Sequence, residues 1–258
     1  MLRRWMAPLA AFCTGLLILA AATPWFLRKA PTLSLSAPYV QSADRWLIRP
    51  NLGARGITAT TTPGELEAMF PGKLRMGALP GPEGVDEPVT LVQGEQIAVH
   101  WAEMSEDDRA PMPKSHVALI DLCADLARGE PCRWHTEQGL TVGLDVSQVE
   151  SLNGAPFTLS GYNAVEGTEG RVLDWRAGRL GVADVCQSLL VTMDGGQPEA
   201  TLTAAQMKLV SELRPVSYLS SSYSIRLRHP TVSLIQLRFV DPASCPYSVP
   251  EEAQHPIP

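Results

Sequence analysis

The chain has 258 residues and a formal net charge of −6, with 45% hydrophobic and 19% charged residues. All 27 acidic residues lie after position 29 and four of the 21 basic ones lie at or before it, so the remainder sets 17 basic groups against 27 acidic ones, a formal −10. So acidic a body excludes nucleic acid as a partner, since phosphates demand a basic face, and its surface is repelled by anionic lipid.

From Met6 to Phe26 no side chain is charged, and these 21 residues match the roughly 20 a helix needs to cross a bilayer. Trp5 and Trp25 flank the run, with Arg3 and Arg4 before it and Arg28 and Lys29 after it, as interfacial anchors do. Residues 1–29 therefore read as an N-terminal transmembrane helix. The alternative is a cleaved signal peptide with Ala20-Ala21-Ala22 as its small-residue site. Either delivers the rest of the chain out of the cytoplasm. Arginine outnumbers lysine 17 to 4, which hints at a GC-rich bacterial genome, so the expected location is the bacterial inner membrane, single-pass, with the C-terminal domain in the periplasm. A linker is expected over 30–38, a domain over 39–250 and a disordered tail over 251–258.

Along the domain the two-residue alternation of half-buried strands recurs, bounded by Gly and Pro. Weaker strand candidates come first, at Leu33 to Leu35, Trp46 to Arg49, Ile57 to Thr61 and Leu74 to Leu79. Thr62-Pro63-Gly64-Glu65 reads as a capping box whose helix Pro71 stops at once. The Pro- and Gly-rich stretch from Pro71 to Pro88 reads as a long surface loop. Gln96 to Trp101 predicts a strand with Ile97, Val99 and Trp101 inward, and Val117 to Leu122 another. Leu140 to Val146 reads as a strand with Thr141 and Asp145 facing water, followed by strands at Phe157 to Tyr162 and Arg171 to Arg176. Val182 to Met193 reads as helix or loop that turns to strand at Leu189, with Asp194-Gly195-Gly196 leading into a return strand at Glu199 to Leu202. Thr203 with Gln206 opens a helix toward Leu213. Tyr223, Ile225 and Leu227 alternate with polar residues and pair, across His229-Pro230-Thr231, with Ile235, Leu237 and Phe239 as a hairpin. The fold class this predicts is mainly β, a β-sandwich or open barrel of Ig-like or jelly-roll-like kind, with one or two short helices after the membrane helix.

Cys13 lies in the apolar leader, leaving Cys123, Cys132, Cys186 and Cys245 in the domain, an even set that suits an oxidising compartment. Three pairings are possible; Cys123 with Cys132 and Cys186 with Cys245 are favoured. The tryptophans Trp46, Trp101, Trp134 and Trp175 read as core rather than as a binding platform.

Catalytic signatures are missing: there is no G-x-S-x-G, H-E-x-x-H, P-loop or G-x-G-x-x-G. Carboxylate pairs such as Asp107 with Asp108, or Glu166 with Glu169, sit in polar stretches with nothing to shift their ionisation. One constellation has chemical shape. His100, Met104, Met112 and His116 combine imidazole with thioether, a set that suits Cu(I) and loosely resembles the His and Met sets of periplasmic copper-handling sandwiches. The expected function is a membrane-anchored, extracytoplasmic binding or assembly module with no cofactor, an envelope protein as partner, and sheet-edge addition along Val232 to Val240 as its mode. The alternatives are copper handling through that quartet and an exported hydrolase using carboxylates with His135 or His229.

Overall fold

A computed structural model describes residues 44–80, 85–107, 110–124, 130–161, 170–184, 186–195, 202–211 and 217–239. The chain divides into two units, Met1–Pro38 and Tyr39–Pro258, and everything described belongs to the second. The expected membrane helix, linker, tail and the candidate strand at Leu33 to Leu35 lie outside the described residues. Among those described, no helix is long and apolar enough to cross a membrane.

The second unit is mostly β, with a large antiparallel sheet and a few short helices. Nine strands run in the order β11-β8-β9-β10-β12-β6-β5-β4-β3. In chain order these are β3 (Leu74–Pro80), β4 (Asp86–Val92), β5 (Ile97–Trp101), β6 (Val117–Leu122), β8 (Thr158–Ser160), β9 (Gly170–Asp174), β10 (Leu189–Asp194), β11 (Ser217–Leu219) and β12 (Thr231–Arg238). A small second sheet joins β1 (Leu47–Arg49) to β2 (Gly53–Ala54) and, in parallel, to β7 (His135–Thr136).

Register explains the core. Ile97 pairs with Leu122, Leu122 with Ile235 and Ile235 with Val191, so four fully buried aliphatic side chains form one row across β5, β6, β12 and β10. Val99, Ile120, Leu237 and Leu189 form the next row on the same face. Side chains that alternate along each strand are thereby gathered on one surface. Trp101, Trp134 and Trp175 are buried in this core and Trp46 packs against it, so these tryptophans are core as read, Trp101 and Trp175 from their place in the alternations. The alternation of β5 is not strict, because Ala98, on the opposite face, is as buried as Val99. Val89, Leu91 and Ala98 form a second, smaller apolar cluster there.

Helices outnumber the one or two expected: the described residues hold α1 (Pro63–Met69), α2 (Val146–Asn153), α3 (Arg179–Ala183), α4 (Ala204–Ser211) and α5 (Tyr223–Arg228). The capping box of α1 is present as read, with Thr62 and Glu65 bonded reciprocally. Two expected strands are overturned. Over Leu140 to Val146, Gly143 turns the chain at φ 93° and Asp145 caps α2, accepting from the amides of Ser147 and Gln148 while Gln148 bonds back to the Asp145 amide. The residue read as a water-facing strand position is an N-cap. Tyr223 to Leu227 is α5, closed by His229 in the left-handed conformation with Pro230 after it; Ile225 is buried but Tyr223 is 59% exposed, which an inward strand position does not allow.

Three further expectations are corrected. Pro71 to Pro88 is no long loop but most of the β3–β4 hairpin, registered from Leu74 opposite Val92 to Pro80 opposite Asp86. Ile57 to Thr61 makes only an isolated bridge from Ile57 to Ala54. β10 pairs with β12 and β9 rather than with a return strand; Leu202 is in no strand and Glu199 to Thr201 lie outside the described residues. Cys123 is bonded to Cys132. Cys186 is also disulfide-bonded, and its expected partner Cys245 lies outside the described residues.

Candidate functional site

The free edges of the large sheet are its most distinctive chemical feature, because an edge strand presents unpaired N–H and C=O groups. Sheet-edge addition along Val232 to Val240 is overturned. β12 lies inside the sheet with β10 on one side and β6 on the other, so its backbone groups are already engaged. Among the described residues the edges are β11, three residues long, and β3, seven residues long and paired on one side only.

β3 is well placed to receive a strand. Arg75, Met76, Ala78 and Pro80 are exposed, and Arg75 is the only charge within it. Gly77 is needed by its neighbour: a Cβ there would meet Leu91 Cδ1 at 2.7 Å, so glycine lets Leu91 of β4 lie flat across the strand. Beside the strand is a cleft of about 160 Å³ lined by Pro63, Leu74, Arg75, Met76, Thr90, Trp101 and Pro111. A short relay fixes its floor: the Trp101 indole N–H donates to Thr90 Oγ1 at 2.9 Å, and the Thr90 hydroxyl donates to Met76 Sδ at 3.4 Å. Met69, Met76 and Met112 are each more than a third exposed. Adaptable thioethers beside an open edge suit the side chains of an incoming strand.

The hairpin that carries this edge is held at its other end by Glu95, in the β4–β5 turn. The Glu95 carboxylate is 1% exposed; Arg45 Nη2 donates to both its oxygens at 2.8 and 2.9 Å and Lys73 Nζ to one at 3.1 Å. Burial pushes its pKa up, but the bonds from Arg45 and Lys73 outweigh that and hold the carboxyl below its ordinary value. Trp134 Nε1 donates to the Glu95 carbonyl at 2.8 Å, tying the same turn to the segment that starts β7.

The copper quartet is placed as follows. His100 lies on the opposite sheet face from Trp101, its Nε2 3.1 Å from Asp121 and its Nδ1 3.5 Å from Glu87; Gln236 Nε2 donates to the other Asp121 oxygen at 2.7 Å. Met104 bridges to Pro111 and packs against the core, whereas Met112 and His116 are exposed on the extended β5–β6 hairpin. Among the described residues, no group of three or more His, Cys, Asp or Glu is arranged to hold a metal. The residues of the hydrolase alternative lie elsewhere in the fold. His135 Nε2 faces Asp44 at 2.9 Å and Nδ1 faces the Arg133 carbonyl at 3.0 Å, so both ring nitrogens have partners within the fold. His229 serves as the cap of α5. Asp107 accepts from Ser105, while Asp108, Glu166 and Glu169 lie outside the described residues.

The chain matches no protein-family model, no curated protein and no solved structure.

Proposed function

We propose that this chain is a membrane-anchored, extracytoplasmic binding or assembly module whose partner, another envelope protein, adds a strand to β3. The observation that carries the reading is the seven-residue β3 edge, exposed and bearing one charge. Proteins with no use for such an edge shorten it, charge it or cover it. The Cys123–Cys132 bond and the disulfide-bonded Cys186 support an oxidising compartment. On this reading the nine strands curl as an open barrel or sandwich, a shape favoured by irregularities at Thr192/Met193, His100/Trp101 and Thr158/Leu159, since bulges bend strands.

Two experiments test it. A photo-crosslinking residue placed at Met76 or Ala78 of the full chain in cells is expected to capture one envelope protein that the same residue at exposed Lys208 does not. Ala78→Lys should suppress the Met76 adduct, because charge on an edge opposes strand addition. An unchanged adduct, or equal capture from Lys208, rejects the edge. Location is tested with a membrane-impermeant maleimide on intact cells and spheroplasts. Labelling of domain thiols only after reduction is the expected result, and labelling without reductant only after lysis would put the domain in the cytoplasm.

A further inference from the structure

Glu95 is one carboxylate facing three cations. Arg45 and Lys73 bond it, and Arg55 Nε approaches its second oxygen at 3.5 Å. The set carries two more positive charges than negative ones, on a body whose formal charge is −10. Glu95 is nearly inaccessible, whereas the side chains of Arg45, Lys73 and Arg55 are 47, 50 and 30% exposed, so the carboxylate lies beneath the cations and their outer edges face water.

Arg45 is unusually well fixed for a half-exposed arginine. Its guanidinium carbon sits 4.6 Å from the centre of the Trp46 ring, which Arg133 also approaches at 4.4 Å, and Trp46 meets Trp134 edge-on with centroids 5.3 Å apart. Both bonds to Glu95 use Nη2, and Lys73 gives Glu95 one of its three protons. A guanidinium carries five N–H donors and an ammonium three, so the bonds to Glu95 leave most of the donors of Arg45 and Lys73 unused by it. The acids nearest these cations in the chain have other partners: Asp44 accepts from the Trp46 amide and faces His135, Glu65 caps α1 through Thr62, and Glu67 accepts from the Gly72 amide.

Mutually repelling cations, pre-positioned and only partly neutralised, are what a multiply charged oxyanion needs. A guanidinium edge with an adjacent ammonium matches tetrahedral phosphate oxygens. We infer that Arg45, Arg55 and Lys73 form a binding site for a phosphate group, with Glu95 as the buried anchor that holds them together. The site is independent of the β3 edge. Its phosphate could belong to a lipid headgroup or to a soluble phosphate compound, and the test separates the two.

The probe is radiolabelled pyrophosphate, measured by equilibrium dialysis against the full chain in zwitterionic micelles. Saturable binding is expected that orthophosphate displaces and sodium chloride of equal ionic strength does not. Lys73→Met, which leaves the Arg45–Glu95 pair in place, should weaken it about tenfold or more, Arg55→Met comparably, and Lys73→Arg little, as loss of a charge-assisted hydrogen bond predicts. A thermal melt of each variant checks that the fold persists. Nanodiscs of phosphatidylcholine alone and with phosphatidylglycerol then give the source: competition only by the anionic discs assigns a lipid headgroup, and its absence a soluble phosphate compound, both sustaining the site. No saturable binding, equal displacement by chloride, or unchanged affinity in folded Lys73→Met and Arg55→Met overturns the inference.

Discussion

Replacing Glu95 with glutamine tests how this domain is tied together. The carboxylate accepts two bonds from Arg45 and one from Lys73 and faces Arg55. A hydrogen bond to a charged group contributes roughly 1.5–3 kcal/mol, and removing one partner of a fully buried ion pair costs about 3–5 kcal/mol. Here the charge removed is buried but the cations left behind are 30 to 50% exposed and regain water, so the cost falls toward the surface-pair range. Glutamine also keeps one acceptor for Arg45, and the Trp134 bond, made to the backbone, survives. The expected loss at neutral pH is about 2–3 kcal/mol, or about 5–10 °C in melting temperature for a domain of this size.

The pH dependence makes the argument specific. Glu95 is held below its ordinary value of 4.5, so its contribution is fully present above that value and is lost as pH falls through the lower folded-state value. Urea unfolding of both proteins in non-reducing buffer, followed by tryptophan fluorescence, should show a gap at neutral pH that narrows in strong acid. A gap under about 0.5 kcal/mol at neutral pH, the scale of an ordinary surface pair, or one that persists unchanged at low pH, refutes the reasoning.

Gly178→Ala should be among the most damaging single changes. A Cβ there would lie 2.1 Å from the amide of Asn153, a fully buried side chain that donates to the carbonyls of Ala155 and Trp175 and accepts from the Leu180 amide. A loss of about 3 kcal/mol or more in urea unfolding is expected, and a near-neutral result rejects the packing. Asp145→Ala should cost about 1–2 kcal/mol, whereas Ser222→Ala, at an N-cap without a side-chain cap bond, should stay within about 0.5 kcal/mol. Asp184 works in the opposite sense to Glu95: burial raises its pKa against the bonds from Ser188 and Leu189 and the pull of Arg238. Its folded form holds the proton more tightly, so its contribution declines as pH rises from about 3.8 through the raised value. Asp184→Asn should remove that decline, gaining on the wild type across the window, and parallel pH profiles reject it.

Much of the sheet was legible because its strands lie over one core and alternate accordingly. Ile97, Val99 and Trp101 are buried in β5, and β6 runs from Val117 to Leu122 as read. Alternation misled where a short helix buries only one or two residues. α5 inserts Ile225 alone, so Tyr223, Ile225 and Leu227 mimic a strand although no pleated face exists. Over Leu140 to Val146 the decisive signals were Gly143 and the spacing of Asp145 to Gln148, a capping box hidden under an apolar run. β3 itself was read, as the strand candidate at Leu74 to Leu79, but β4 and the hairpin pairing were masked by the prolines and glycines around them. Gly77 is there because Leu91 crosses it, a reason set by the neighbouring strand and invisible in the local pattern. Nor could local pattern show which strand is an edge. The hydrophobicity of β12, read as an exposed docking strip, is that of a strand buried between β6 and β10.

The segment just after the N-terminal unit bears on why β3 stays accessible. Arg45 clasps the β4–β5 turn through Glu95, and Lys73, one residue before β3, joins the same carboxylate while its carbonyl accepts from Gln93. Further along, the Asn51 amide donates at 2.7 Å to Ser188, itself bonded to Asp184 at the entry to β10. Residues 44–57 thus brace the β3–β4–β5 corner and the β10 region together. The bracing holds β3 in place, and on the proposed reading a partner strand would meet a pre-formed template and forgo little entropy on binding. That rigidity has a second consequence. Among the described residues one arginine and a terminal proline guard β3, and a rigid edge so lightly guarded would pair with exposed strands that reach it. Loosening the brace with Glu95→Gln should therefore weaken the Met76 and Ala78 adducts as well as the fold. If the adducts persist undiminished while stability falls, edge and brace are uncoupled and this link between them is wrong.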